Sequence, residues 1–209
     1  MLEKVREVLE RSYDRDSFFR IVASIYPTLD RRYKIIEKAY NDAKEAFQGQ
    51  YRDSGERYFE HLRAVALIVI LYLRIRDYRL IVVALLHDIV EDCPEWTIER
   101  VIKEYGEEIA ELVEWTTKPK ETFPQKEDYI RIYHERFTVA PREFFLVKIP
   151  DRLHNLLTMW SLGEEHIRKK IEETKRYYLH YAEKHFILIH ELEAIIDELE
   201  AHNEKQKDE

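Results

Sequence analysis

The segment Leu85-Leu86-His87-Asp88-Ile89-Val90-Glu91-Asp92 places four ionisable side chains at the end of an apolar run, Leu80 to Leu86. The run reads as a buried helix. Charges at the edge of a core cost several kcal/mol unless they are paired or hold a metal. On a continuous helix His87 and Glu91 share one face, and Asp88 and Asp92 share the next. The segment thus offers two metal-ligand types with a further carboxylate one turn beyond each. The competing explanation is a helix end with solvated charges. An aliphatic helix running into His-Asp-x-x-Glu-Asp is rare enough to favour a divalent metal.

A metal at neutral pH needs more than two protein groups. Upstream, His61 precedes Leu62, Val65, Ala66 and Val69. A lone histidine there is ordinarily a core residue; beside a suspected His87-Asp88 site it becomes a ligand candidate. Downstream, Asp151 follows the hydrophobic run Phe144 to Pro150, again a costly place for an unpartnered carboxylate. Lys148, Asp151, Asn155 and Thr158 recur at i, i+3, i+7 and i+10 and share a helical face. That face aims a cation, a ligand, an amide and a hydroxyl one way; the alternative is an exposed polar stripe. Two imidazoles and two carboxylates form a mixed N/O set that suits manganese, iron or cobalt better than zinc or magnesium.

The elements that must position these groups are helices. The chain has 209 residues, only 4 glycines and 6 prolines, and 45% hydrophobic residues. No strand alternation and no fixed-period repeat is visible, so the fold class is all-α, a single-domain helical bundle. Helices are expected over 2–13, from Asp30 as N-cap to Phe47, and from Tyr58 to Ile75. The next runs from its cap Asp77 to Cys93-Pro94, in one piece. Thr97 and Gly106 bound a short helix; Glu107 to Thr117 and 126–138 follow, separated by a loop, Lys118 to Pro124. Pro141 opens a helix to Trp160, which Pro150 should kink. One or two long helices then run from Glu164 to Ala201, and His202 to Glu209 reads as a disordered charged tail.

The formal net charge of -8 argues against a nucleic-acid binder, so an anionic substrate would need a local basic patch. A single cysteine, Cys93, excludes an internal disulfide and disfavours a thiolate zinc site. There is no signal-peptide pattern, and the most apolar run, Leu62 to Ile75, is shorter than the roughly 20 residues that span a bilayer. The expectation is a cytoplasmic protein with no membrane partner.

His61, His87-Asp88 and Asp151 together resemble the H…HD…D signature of the HD-domain metal-dependent phosphohydrolases. Several further stretches narrow the likeness. Arg52-Asp53-Ser54-Gly55-Glu56-Arg57-Tyr58-Phe59-Glu60-His61 resembles Arg-x-Ser-Gly-x-x-Tyr-x-x-His. His87 to Asp92 resembles His-Asp-x-Val-Glu-Asp. Tyr105-Gly106 and Thr117-Lys118 match two short landmarks, and Leu146 to Asn155 resembles Leu-Val-Lys-Leu-Ala-Asp-Arg-Leu-His-Asn. Glu173-Thr174 and the tyrosines after them resemble Glu-Thr-x-x-x-Tyr. These motifs are those of the RelA/SpoT-type (p)ppGpp hydrolase domain and the small alarmone hydrolases, and cover about residues 45–185. Residues 1–44 would then be an N-terminal helical extension packed on this core, and 186–209 a C-terminal helix and charged tail.

The resemblance implies removal of the 3′-pyrophosphate from guanosine bispyrophosphate (ppGpp) with a manganese ion. It implies His61, His87, Asp88 and Asp151 as metal ligands, and Glu91 and Asp92 as the groups that orient the attacking water and move its proton. Arg52 would lie against the guanine, with Ser54, Lys148, Asn155 and Thr158 lining the nucleotide. The chain departs from the pattern at Pro150, Asp53 and Leu156-Leu157, and matches poorly over 120–140, where Arg131 and Arg136 are the basic candidates. Three rivals stand beside this reading: an HD enzyme for another nucleotide or phosphoester, a nucleotide sensor without turnover, and a scaffold that pairs as a homodimer through its last helix.

Overall fold

The computed structural model describes residues 1–11, 14–118 and 126–207, and among these the regular elements are helical. They are α1 (Leu2–Glu10), α2 (Arg15–Ala23), α3 (Arg31–Ala46), α4 (Tyr58–Leu67), α5 (Tyr78–Leu86), α6 (Ile89–Asp92) and α7 (Ile98–Tyr105). There follow α8 (Glu107–Thr116), α9 (Lys126–Glu135), α10 (Arg142–Leu157), α11 (Glu164–Tyr177), α12 (Leu179–His185) and α13 (Ile189–Lys207). A π turn, Ile68–Tyr72, extends α4, and a 3₁₀ turn, Arg136–Thr138, extends α9. The expected loop residues 119–124 lie outside the described residues.

The chain starts its helices where short polar side chains replace missing backbone partners. Asp30 accepts from the Arg32 amide at 2.8 Å, Asp77 from the Arg79 amide at 2.9 Å and Thr97 from the Arg100 amide at 3.3 Å. Gly106, at φ +88°, turns α7 into α8 in a conformation that side chains disfavour. The stripe Tyr33, Ile36, Tyr40, Ala43 and Phe47 is buried.

Every residue from Leu80 to Leu86 is buried, which makes α5 the central rod. It packs against α3, α4, α8 and α10. One apolar cluster surrounds α2 to α5, α7 and α8; a second joins α1 and α10 to α13. In the second, Leu2 and Val5 meet a cluster that holds Leu192, Ile195, Ile196 and Leu199, so the last helix buries its stripe within its own chain. No helix among the described residues is long and apolar enough to cross a membrane.

The structure departs from the sequence expectations in several places, and the helices expected to reach Ile75 and Trp160 end at Tyr72 and Leu157. The first helix stops at Glu10, not at residue 13. The helix expected to run from Asp77 to Pro94 ends at Leu86, and the chain turns at His87 and Asp88 before α6. Two carbonyls near this corner are engaged by side chains. The His87 ring Nδ1 lies 2.9 Å from the Ala84 oxygen, and the Thr116 hydroxyl lies 3.0 Å from the His87 oxygen. Three helices, not one or two, occupy 164–207. Phe186 and Leu188 adopt φ of 55° and 53°, which lets Ile187 and Leu188 turn inward while Phe186 stays exposed. The expected disordered tail is instead helical through Lys207. At Pro150, α10 continues unbroken, although the missing N–H leaves the Leu146 carbonyl without its helical donor.

Candidate active site

Three elements meet at one point. The first turn of α4 presents His61, the corner between α5 and α6 presents His87 and Asp88, and the middle of α10 presents Asp151. His61 Nε2 lies 3.2 Å from Asp151 Oδ1 and 3.8 Å from Asp88 Oδ2. His87 Nε2 lies 3.2 Å from Asp88 Oδ2 and 3.7 Å from Asp151 Oδ1. All four residues are buried. Atoms that share a first-row divalent ion at about 2.1 Å sit about 3 Å apart when at right angles, so this spacing fits such a site.

The protonation pattern agrees with that fit. The His87 Nδ1–H donates to the Ala84 carbonyl, which leaves Nε2 as the ring nitrogen facing the two carboxylates. That Nε2 is buried and makes no hydrogen bond in the protein. Burial works against a charged His87, yet Asp88 and Asp151 outweigh it and push the imidazole up to about 10. Two buried carboxylates thus demand positive charge at this point, which a metal ion supplies better than one proton. The nitrogen and oxygen donors present suit a divalent first-row ion.

Asp151 is the hub of the surrounding network. Its Oδ2 takes the Lys148 ammonium at 2.9 Å, and its Oδ1 accepts from the Asn155 amide at 2.6 Å. Burial opposes charge on Lys148, but Asp151 holds its pKa well above the usual range. Asn155 and Lys148 are therefore engaged with Asp151 as well as lining the cavity. Arg52 donates to the Thr158 hydroxyl at 2.9 Å and to the Asn155 carbonyl, so the loop after α3 is tied to the end of α10. Ser54 lines the same cavity, and its hydroxyl is buried with no partner.

The cavity measures about 420 Å³. Glu91 lines it, with both carboxylate oxygens held by Lys118: the ammonium at 2.6 Å and the amide at 3.3 Å. Asp92 does not line it; its carboxylate accepts from the Tyr58 hydroxyl at 2.7 Å, which also lies 3.0 Å from Asp88. Four cations, Arg52, Lys118, Lys148 and Lys170, line the cavity beside four carboxylates, Asp53, Asp88, Glu91 and Asp151. Arg131 pairs with Glu135, and Arg136 lies over the Trp115 ring; neither lines this cavity.

Sequence reasoning assigned no role to Tyr58, Lys118 or His154. Each had a signal: Tyr58 lies three residues before His61, Lys118 closes a family landmark, and His154 lies three residues after Asp151, one helical turn away. What they touch depends on how separate helices cross, and local spacing does not contain that.

A family model described as an HD domain matches residues 39–187. The chain belongs to the HD-domain family. It is 32% identical over 188 residues to the bifunctional (p)ppGpp synthase/hydrolase SpoT of Escherichia coli K12, covering 88% of this chain and 26% of that protein. It is 37% identical over 147 residues to a guanosine-3′,5′-bis(diphosphate) 3′-pyrophosphohydrolase of Aquifex aeolicus, covering 68% of this chain and 20% of that one. The HD-domain chain thus spans about a quarter or less of the length of these relatives. A solved structure reported as "A metazoan ortholog of SpoT hydrolyzes ppGpp and plays a role in starvation responses" superposes with a TM-score of 0.70. It is 22% identical, and the match covers 78% of this chain and 94% of that one, which shows a shared fold.

Proposed function

We propose that this HD-domain chain is a metal-dependent phosphohydrolase that removes the 3′-pyrophosphate of ppGpp, with manganese as its ion. The observation that carries the reading is the convergence of His61, His87, Asp88 and Asp151 on one point, with Glu91 and four cationic side chains lining the cavity beside it. The named activities of the relatives supply the substrate.

A bound divalent ion lowers the pKa of water and offsets charge on phosphoryl oxygens. The protein's own groups do the rest by placement and electrostatics. A water oxygen bonds to the phosphorus carried by the 3′-oxygen, the P–O3′ bond breaks, and its electron pair leaves on that oxygen, which takes a proton. The products are GDP and pyrophosphate. Glu91, fixed at both oxygens by Lys118, accepts the water proton. Asp92 acts through Tyr58, whose hydroxyl holds it against Asp88. Lys148 keeps Asp151 ionised, and Lys118 and Lys170 draw a multiply charged nucleotide into the cavity. Arg52, Ser54, Asn155 and Thr158 form the wall for the nucleoside, the planar guanidinium facing the base. The substrate is a small nucleotide, and neither nucleic acid nor membrane is required.

The test is a product assay on ppGpp and a panel of other nucleotides, with manganese alone and with chelator. GDP and pyrophosphate in equal amounts, only with metal, is the expected result. Turnover of another nucleotide in preference to ppGpp would overturn the substrate. Tight ppGpp binding with no product in manganese would replace the enzyme with a sensor.

A further inference from the structure

His154 is buried on α10, one turn after Asp151, and its Nδ1 lies 2.9 Å from the Nδ1 of His61. Two ring nitrogens at that distance share one hydrogen: one donates and the other accepts. The choice fixes what the far side of His61 does. If His61 Nδ1 carries the hydrogen, its Nε2 turns a lone pair toward Asp88 and Asp151 and can ligate an ion. If His154 Nδ1 carries it, His61 Nε2 is protonated, donates to Asp151 at 3.2 Å, and is lost as a ligand.

A second contact decides between them. Arg52 Nη1 lies 3.5 Å from the same Nδ1 of His154, and the guanidinium is held there by Thr158 and Asn155. Arginine has only hydrogens to offer. A nitrogen facing a guanidinium on one side and an imidazole on the other must be the acceptor.

We propose that His154 is a positioning residue: it accepts the His61 Nδ1 hydrogen and so fixes the tautomer in which His61 Nε2 is a metal ligand. The role rests on the metal reading of the site. It gives Arg52 a second duty, since the cation at the cavity mouth keeps His154 an acceptor. The metal's affinity then depends on two residues that do not touch it.

The test uses manganese alone, titrated calorimetrically into protein freed of metal by chelator. His154→Phe keeps a ring but removes the acceptor; His154→Asn restores an acceptor near the Nδ1 position. His154→Phe should bind manganese about 10–100-fold more weakly, the usual effect of losing a ligand's outer partner. His154→Asn should recover most of that loss, while the two variants unfold at similar urea concentrations in chelator. Should His154→Phe not fold, nitrogen-15 spectra of the histidine rings in the metal-free wild type give the same answer, with the hydrogen expected on Nδ1 of His61. Unchanged manganese affinity in His154→Phe, no recovery in His154→Asn, or the hydrogen on Nε2 of His61 would each overturn the proposal while the metal site stands. Wild-type protein that takes up no manganese would overturn the hydrolase reading, and this proposal with it.

Discussion

Replacing Asp151 by asparagine keeps the shape of the side chain and removes its charge. In the structure that charge faces the Lys148 ammonium at 2.9 Å, and Lys148 is only 3% exposed. Removing one partner of a buried ion pair typically destabilises by about 3–5 kcal/mol, because the other charge stays buried without it. A loss of about 4 kcal/mol is a large part of the 5–15 kcal/mol by which a domain is usually stable. With a urea slope of about 2 kcal/mol per molar, the unfolding midpoint should fall by about 2 M. The measurement belongs in chelator, where no ion contributes. Adding Lys148→Met removes the stranded cation, so the double variant should regain most of the lost stability, and the cycle reports the pair's coupling. In manganese the single variant should also fail to hold stoichiometric metal. The reasoning fails if Asp151→Asn unfolds in chelator within about 0.5 kcal/mol of wild type, the range of an ordinary surface change. It fails equally if the double variant is no more stable than the single one.

Glu91→Gln should retain manganese and lose about 10²–10⁴-fold in kcat, the contribution of a positioned acid-base group; steady-state kinetics beside metal analysis checks this, and near wild-type turnover would remove Glu91 from the role. Tyr58→Phe keeps the ring stacked on Phe47 at 4.6 Å but loses the hydroxyl between Asp88 and Asp92. Manganese affinity should drop about tenfold, and an unchanged dissociation constant would contradict the assignment. Acid stability is set in part by His134, which is buried against Tyr177, donates to the Ile130 carbonyl and lies 3.5 Å from Glu173. Burial lowers its pKa from 6.5 to about 4. The unfolded chain therefore binds a proton that the folded one refuses, and stability falls as pH drops from 6.5 toward 4. The loss is at most about 3 kcal/mol, less whatever solvent screens. In His134→Phe, urea unfolding across that range should show a shallower decline; an unaltered slope would exclude His134 as a source.

The candidate metal ligands could be read from the chain because burying such groups is costly. His87-Asp88 and Asp151 each follow an apolar run, and such placement without a partner is unfavourable enough to reveal a purpose. The caps Asp30, Asp77 and Thr97 were legible for a similar reason: each satisfies a backbone group only a few residues away. The break at His87 was not legible. The central rod ends there in company with a contact from Thr116, which lies on α8 and is distant in sequence. Nor could spacing separate Glu91 from Asp92. One points into the cavity beside Lys118 and the other sits under Tyr58, a difference that arises only when α4 and the end of α8 pack against the corner.

Periodicity, capping and the penalty for buried charge act over short stretches, so the order of residue types determined the helical class and marked the four candidate ligands, and its motifs resembled the family to which the chain belongs. Tertiary structure decided which carboxylate faces the cavity, which lysine holds it, and that His154 meets His61. Those contacts join residues from about 27 to 93 positions apart, and only the crossing of helices sets the few ångströms on which they depend.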